Sequence, residues 1–106
     1  MIDALFLGSK SLGHAVIGEL VKADCPVKWR VIHPGDQADG RSLHPLFADF
    51  ARRSDLDLSF AASLKAAREL IRNCKPDIAF AGGWYWLLDA VGGQVIDFYE
   101  VYSVHP

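Results

Sequence analysis

Compact apolar runs alternate along this chain with segments whose apolar residues recur every three or four positions. Ala4 to Leu7 is the first run, closed by Gly8, and predicts a buried strand. Leu12, Val16, Ile17, Leu20 and Val21 then keep the helical period, with Ser9 and Ser11 available as caps and Cys25-Pro26 as the stop. Val27 to Ile32 predicts a second strand, and His33-Pro34-Gly35-Asp36 a turn, followed by a polar loop to Gly40. Leu43, Leu46, Phe47 and Phe50 place a helix before Arg52-Arg53, and Leu56 to Phe60 suits a short strand. Leu64, Ala67, Leu70 and Ile71 make an amphipathic helix that Ser63 starts and that ends near Asn73. Asp77 to Ala81 predicts a strand running into Gly82-Gly83, then a helix over part of Leu87 to Phe98, broken by Gly92-Gly93, and a last strand over Val101 to Val104.

Strands alternating with helices of this length imply βαβ units. The expected fold is therefore α/β: a Rossmann-like parallel sheet with helices on both faces and right-handed crossovers. Ligands in open parallel sheets bind beyond the carboxyl ends of the strands. Four places stand out on that ground: Gly8 onward, His33 onward, Gly82 onward, and Ser103 to Pro106.

Composition narrows the function classes. Hydrophobic residues make up 51% of the 106, enough for a core, and the formal net charge is −2. Scattered Lys and Arg, with Arg52-Arg53 as the one adjacent pair, give no electrostatic case for nucleic acid. Cys25 and Cys74 lie far apart with no CxxC pair, which points to free thiols in a reducing compartment. The N-terminal apolar run contains Asp3 and has no basic leader, against a secretory signal. No apolar stretch approaches the roughly 18 residues a membrane span requires. A cytoplasmic protein without membrane partners is expected.

Gly8-Ser-Lys-Ser-Leu-Gly13 is neither a P-loop nor a dinucleotide fingerprint, because the residues after the second glycine and the glycine spacing are wrong. It suits a plain strand-to-helix turn, or one whose amides hold an anion. His14, His33, His44 and His105 show no i, i+4 pair, so no metal is expected. Surface or partly packed helix positions suit His14 and His44. His33 follows a strand, a position equally suited to a cleft border and to a turn. His105 closes a predicted strand at the ligand-binding edge, where it suits general acid/base chemistry or a structural role. Gly82-Gly83-Trp84-Tyr85-Trp86-Leu87-Leu88 is the most unusual stretch. Its glycines let the backbone turn sharply beside a ligand, and three successive aromatics cannot all face one way on a helix. A core plug with an oligomer contact and a pocket for a planar heterocycle both account for it.

Together these segments resemble the N-terminal part of the folate-dependent formyltransferase family. Leu5-Phe6-Leu7-Gly8-Ser9 looks like that family's first strand and loop, Lys75-Pro76-Asp77-Ile78 and Gly83 to Leu88 like its KPD strand and folate loop, and Val104-His105-Pro106 like its catalytic segment. The GWYW form is similar to a subgroup acting on amino sugars or amino-acid derivatives. The resemblance implies formyl transfer from 10-formyltetrahydrofolate to a primary amine of a small acceptor. It further implies that Gly83, Trp84, Trp86, Leu87 and Leu88 border the pterin and that His105 is the general acid/base. Ser103 then holds the place where the family has an asparagine hydrogen-bonded to the formyl oxygen. Ser9, Lys10 and the His33 to Asp36 loop fall on the acceptor side. A serine is a shorter donor than a carboxamide, which leaves a non-catalytic folate- or nucleotide-binding module as the alternative. The family's later aspartate has no counterpart before Pro106. Residues 1–106 are accordingly expected to be the N-terminal portion of one domain, part of a longer chain or paired in a homo-oligomer, and not active alone.

Overall fold

The computed structural model describes residues 1–23, 25–36 and 39–86, and the backbone of Val95–Phe98. In chain order it contains β1 (Ile2–Gly8), α1 (Lys10–Lys22), β2 (Val27–His33), a 3-10 turn (Gly40–Ser42), α2 (His44–Ser54), β3 (Asp57–Phe60), α3 (Leu64–Cys74), β4 (Ile78–Gly82) and β5 (Val95–Phe98). The strands form one parallel sheet in the order β3-β2-β1-β4-β5. The chain leaves β1 to build one half of the sheet, then crosses back to continue with β4 on the other side of β1. That reversal opens a crevice beyond the carboxyl ends of β1 and β4, which end level, Gly8 beside Gly82. The α/β Rossmann-like architecture is as expected.

Strand side chains alternate between two packed faces. Leu5 and Leu7 join Ile32, Ala79 and Ala81 under Ala67 and Ile71 of α3. Phe6 points the other way and packs with Val31 against Ile17 of α1 and Phe47 of α2. Leu5, Phe6 and Leu7 are each 0% exposed, so β1 is the spine of both cores. Burial on both faces explains why it reads as an unbroken apolar run.

Most expected elements are present, with boundaries shifted by a residue or two. β1 begins at Ile2, which pairs with Val27 and donates its N–H to the Pro26 carbonyl at 3.0 Å. Beside it the Asp3 N–H donates to the Asp77 side chain at Oδ2, 2.8 Å, and the Asp3 carbonyl accepts from the Asp77 N–H at 2.8 Å. β2 runs on to include His33. α2 continues through Arg52 and Arg53, both of which reach back to Asp49. Ser63 caps α3, its hydroxyl accepting from the Ala66 N–H at 3.1 Å. The expected helix within 87–98 is corrected at its end: Val95–Phe98 is a strand paired with Ala79 to Gly82. Its Val-Ile pair favours extended backbone, and β4 supplies a free edge for parallel pairing. The rest of that helix, Gly92-Gly93, and the expected strand over Val101 to Val104 lie outside the described residues. Among the described residues no helix is long and apolar enough to cross a membrane.

α1 meets β4 at glycines. A Cβ on Gly13 would overlap the carbonyl oxygen of Gly82, whereas one on Gly18, on the same helix, would meet nothing within 4 Å. Two opposite outcomes are expected for the same substitution. Gly13→Ala should destabilise by about 1–3 kcal/mol through forced separation of α1 from β4. Gly18→Ala should stabilise by about 0.5–1 kcal/mol through helix propensity. Urea denaturation followed by circular dichroism checks both, and equal shifts in the two variants would contradict the close approach at Gly13.

Candidate functional site

The crevice is walled by the turn after β1 and the segment after β4. Gly83 has φ +69, a left-handed conformation, and a side chain there would strike the carbonyl oxygen of Ser9. After that reversal residue 84 is irregular and 85–86 form a bend. Trp84 and Trp86, half-buried, lean on the Leu5–Leu7 core with their rings edge to face at 5.3 Å. Tyr85 points elsewhere. Its hydroxyl donates to Asp39 Oδ2 at 3.2 Å, and Lys10 Nζ lies 5.2 Å from its ring centroid. Trp84 and Trp86 thus serve the core and the Tyr85 hydroxyl the loop after β2, while the Tyr85 ring stays edge-on to Trp86 at 6.0 Å.

The turn after β1 is bound closely to this segment. The Ser9 N–H donates to the Gly82 carbonyl at 3.1 Å and the Ser9 hydroxyl donates to the Gly83 carbonyl at 2.5 Å. Ser9 is 0% exposed, so the expectation that it faces an acceptor is corrected: its hydroxyl is turned inward and occupied. Lys10, half-buried at φ +65, remains at the crevice.

The third wall comes from the loop after β2. Asp39 Oδ1 accepts from the Arg41 N–H at 3.0 Å and from Arg41 Nε at 3.2 Å, while Oδ2 accepts from Arg41 Nη2 and the Tyr85 hydroxyl. These donors, Arg41 first, hold the Asp39 carboxyl below its usual range. The tyrosine hydroxyl is pushed up, by partial burial and then by Asp39. Asp39 thus ties the loops after β2 and β4 across the end of β1. Sequence reasoning missed it; the Asp39-Gly40 turn signal marked only a loop.

His33 resolves as a turn-building residue and not as a cleft group. It is 0% exposed, its Nδ1 accepts from the Gly35 N–H at 2.9 Å, and its Nε2–H therefore donates to the Ser42 carbonyl at 2.7 Å. Around it, Phe47 at 4.7 Å and Phe60 at 5.3 Å form an aromatic cluster, with His44 stacked on Phe60 at 3.8 Å. His14 lies edge-on to Phe47 and Phe50. His14 and His44 are the partly packed helix residues expected of them. Among the described residues no cluster of His, Cys, Asp or Glu could hold a metal ion. Cys25 is exposed, Cys74 half-buried, and both are free.

Of the site residues expected from sequence, Gly83, Trp84 and Trp86 come together at the crevice. Leu87, Leu88, Ser103 and His105 lie outside the described residues. A scan of family models, a search of curated proteins and a search of solved structures each return no significant match to this chain.

Burial lowers the His33 pKa from its ordinary 6.5, outweighing the opposing Ser42 hydrogen bond. The folded state therefore favours neutral His33, and that stability is full above pH about 6.5 and lost as pH falls below it toward the lowered value. Urea midpoints measured from pH 8 to 5 should fall with acid in the unsubstituted chain and fall less in His33→Gln. Parallel acid dependence in the two proteins would show that His33 does not titrate between the states.

Proposed function

We propose that this chain contributes the donor-binding part of a folate-dependent formyltransferase, passing a formyl group from 10-formyltetrahydrofolate to a primary amine of a small acceptor such as an amino sugar or amino-acid derivative. The observation that carries the reading is the Gly82-Gly83-Trp84-Tyr85-Trp86 segment, which leaves β4 at the crevice where the strand order reverses. That is where open parallel sheets bind ligands. The segment brings two flat indole rings backed by the core, a surface suited to a planar pterin.

In this reading Gly83 supplies the backbone reversal, and Trp84 and Trp86, with Leu87 and Leu88, border the pterin. When bound, 10-formyltetrahydrofolate supplies an activated formyl group. The acceptor amine attacks the formyl carbon and the bond from that carbon to N10 breaks. His105 takes the proton released by the amine and returns it to N10 of the leaving tetrahydrofolate, and the Ser103 hydroxyl donates to the formyl oxygen. Lys10 borders the acceptor side. The free thiols of Cys25 and Cys74 accord with a reducing, cytoplasmic setting. Ser103 in place of an asparagine favours a second reading, a folate- or nucleotide-binding module without turnover.

Calorimetric titration of the chain with a stable 10-formyltetrahydrofolate analogue tests the proposal. Binding is expected, weakened at least roughly tenfold in a folded Trp86→Ala variant, since a ring's stacking and buried area together exceed about 1.4 kcal/mol. Binding without formyl transfer to amine acceptors would favour the binding module. No binding by a folded chain would count against both readings.

A further inference from the structure

We infer that Ser9 is a positioning residue for the aromatic segment after β4, with its place at the start of α1 given over to that task. Ser9 is the N-cap residue of α1, and a serine there ordinarily accepts a hydrogen bond from an amide of the first helical turn. Here its side chain makes no cap bond. The hydroxyl instead crosses 74 positions of sequence to donate to the Gly83 carbonyl at 2.5 Å. Ser63, also an N-cap, shows the contrast: its hydroxyl caps α3 in the ordinary way.

Three features make the contact specific. The Ser9 N–H donates to the neighbouring carbonyl of Gly82, so consecutive carbonyls of the β4 exit are held by one residue. Gly83 approaches Ser9 so closely that a Cβ would overlap the Ser9 carbonyl oxygen, so the turn sits directly on the residue that holds it. Ser9 is fully buried and Gly83 half-buried, so the hydroxyl end of the bond is closed to solvent. The left-handed Gly83 turn sets the direction in which Trp84, Tyr85 and Trp86 depart, and a helix-start residue therefore controls the aim of the indoles. Where this is extended to ligand affinity, it rests on the proposed donor site; as a statement about the segment's order it does not.

Backbone relaxation by NMR on the unsubstituted chain and Ser9→Ala decides it. Order parameters at 83–86 are expected to fall from the rigid range near about 0.85 toward about 0.6 in Ser9→Ala. Those of Leu12 and Gly13 in α1 should stay unchanged. Disturbance confined to the first turn of α1 would mean that Ser9 is only a helix cap, and would overturn the inference. Should Ser9→Ala not fold, the unsubstituted chain still answers. A protected Ser9 hydroxyl proton with a nuclear Overhauser contact to Gly83 is expected, and a freely exchanging one overturns the inference. Where the unsubstituted chain binds the formyltetrahydrofolate analogue, Ser9→Ala should bind it about tenfold less tightly, the worth of one buried hydrogen bond; unchanged affinity overturns the link to the ligand. Failure of the unsubstituted chain to bind the analogue would count against the donor-site reading alone, while relaxation still decides the role of Ser9.

Discussion

Backbone meets backbone with no intervening side chain where the start of α1 crosses the end of β4, and the remainder of the molecule is arranged around that approach. Gly13 stands over the Gly82 carbonyl, and Gly83 turns against the Ser9 carbonyl. Contacts this close are available only to glycine, because any Cβ would have to displace main-chain atoms. They bring the two halves of the sheet together at the point where the chain reverses its strand order. A looser crossing would carry the loop after β4 away from Lys10 and from the loop after β2.

The loop contacts at the carboxyl edge depend on one another. Asp39 is held by Arg41 and in turn receives the Tyr85 hydroxyl. The loop that carries Asp39 is shaped by Ser42, whose hydroxyl donates to the Asp36 carbonyl and whose own carbonyl accepts from His33. A neutral, buried imidazole with both nitrogens occupied thus underlies a surface carboxylate that steadies an aromatic residue on the far side of the crevice. The indoles take a different support. Trp84 and Trp86 pack against the aliphatic core and stand nearly perpendicular to each other. The Tyr85 hydroxyl joins the polar wall while its ring stays edge-on to Trp86 at 6.0 Å, so the polar and apolar walls meet at these two rings.

Most of the fold was legible in sequence. The Leu5-Phe6-Leu7 run, the helical spacing through Val21, and Ser63 before Leu64 all predicted elements that are present, because burial of periodic apolar residues and local capping are decided within a few positions. Val95–Phe98 went the other way. Its Val-Ile pair favours extended backbone, and pairing along the edge of β4 makes it a strand. At the site, the aromatic segment announced itself by composition, whereas Asp39 gave no signal beyond a turn.

By itself, then, the amino-acid sequence determined the alternation of strand and helix, the parallel α/β class, and the concentration of aromatic residues after β4. Those follow from hydrophobic period and chain order, which are local quantities. Only the tertiary structure decided that the Ser9 hydroxyl would serve Gly83 instead of its own helix, that His33 would be buried and neutral, and that the Tyr85 hydroxyl would meet Asp39. Each of these choices joins residues tens of positions apart or depends on burial. A serine hydroxyl, an imidazole or a phenol has the same local propensity whichever distant partner packing brings within hydrogen-bond reach.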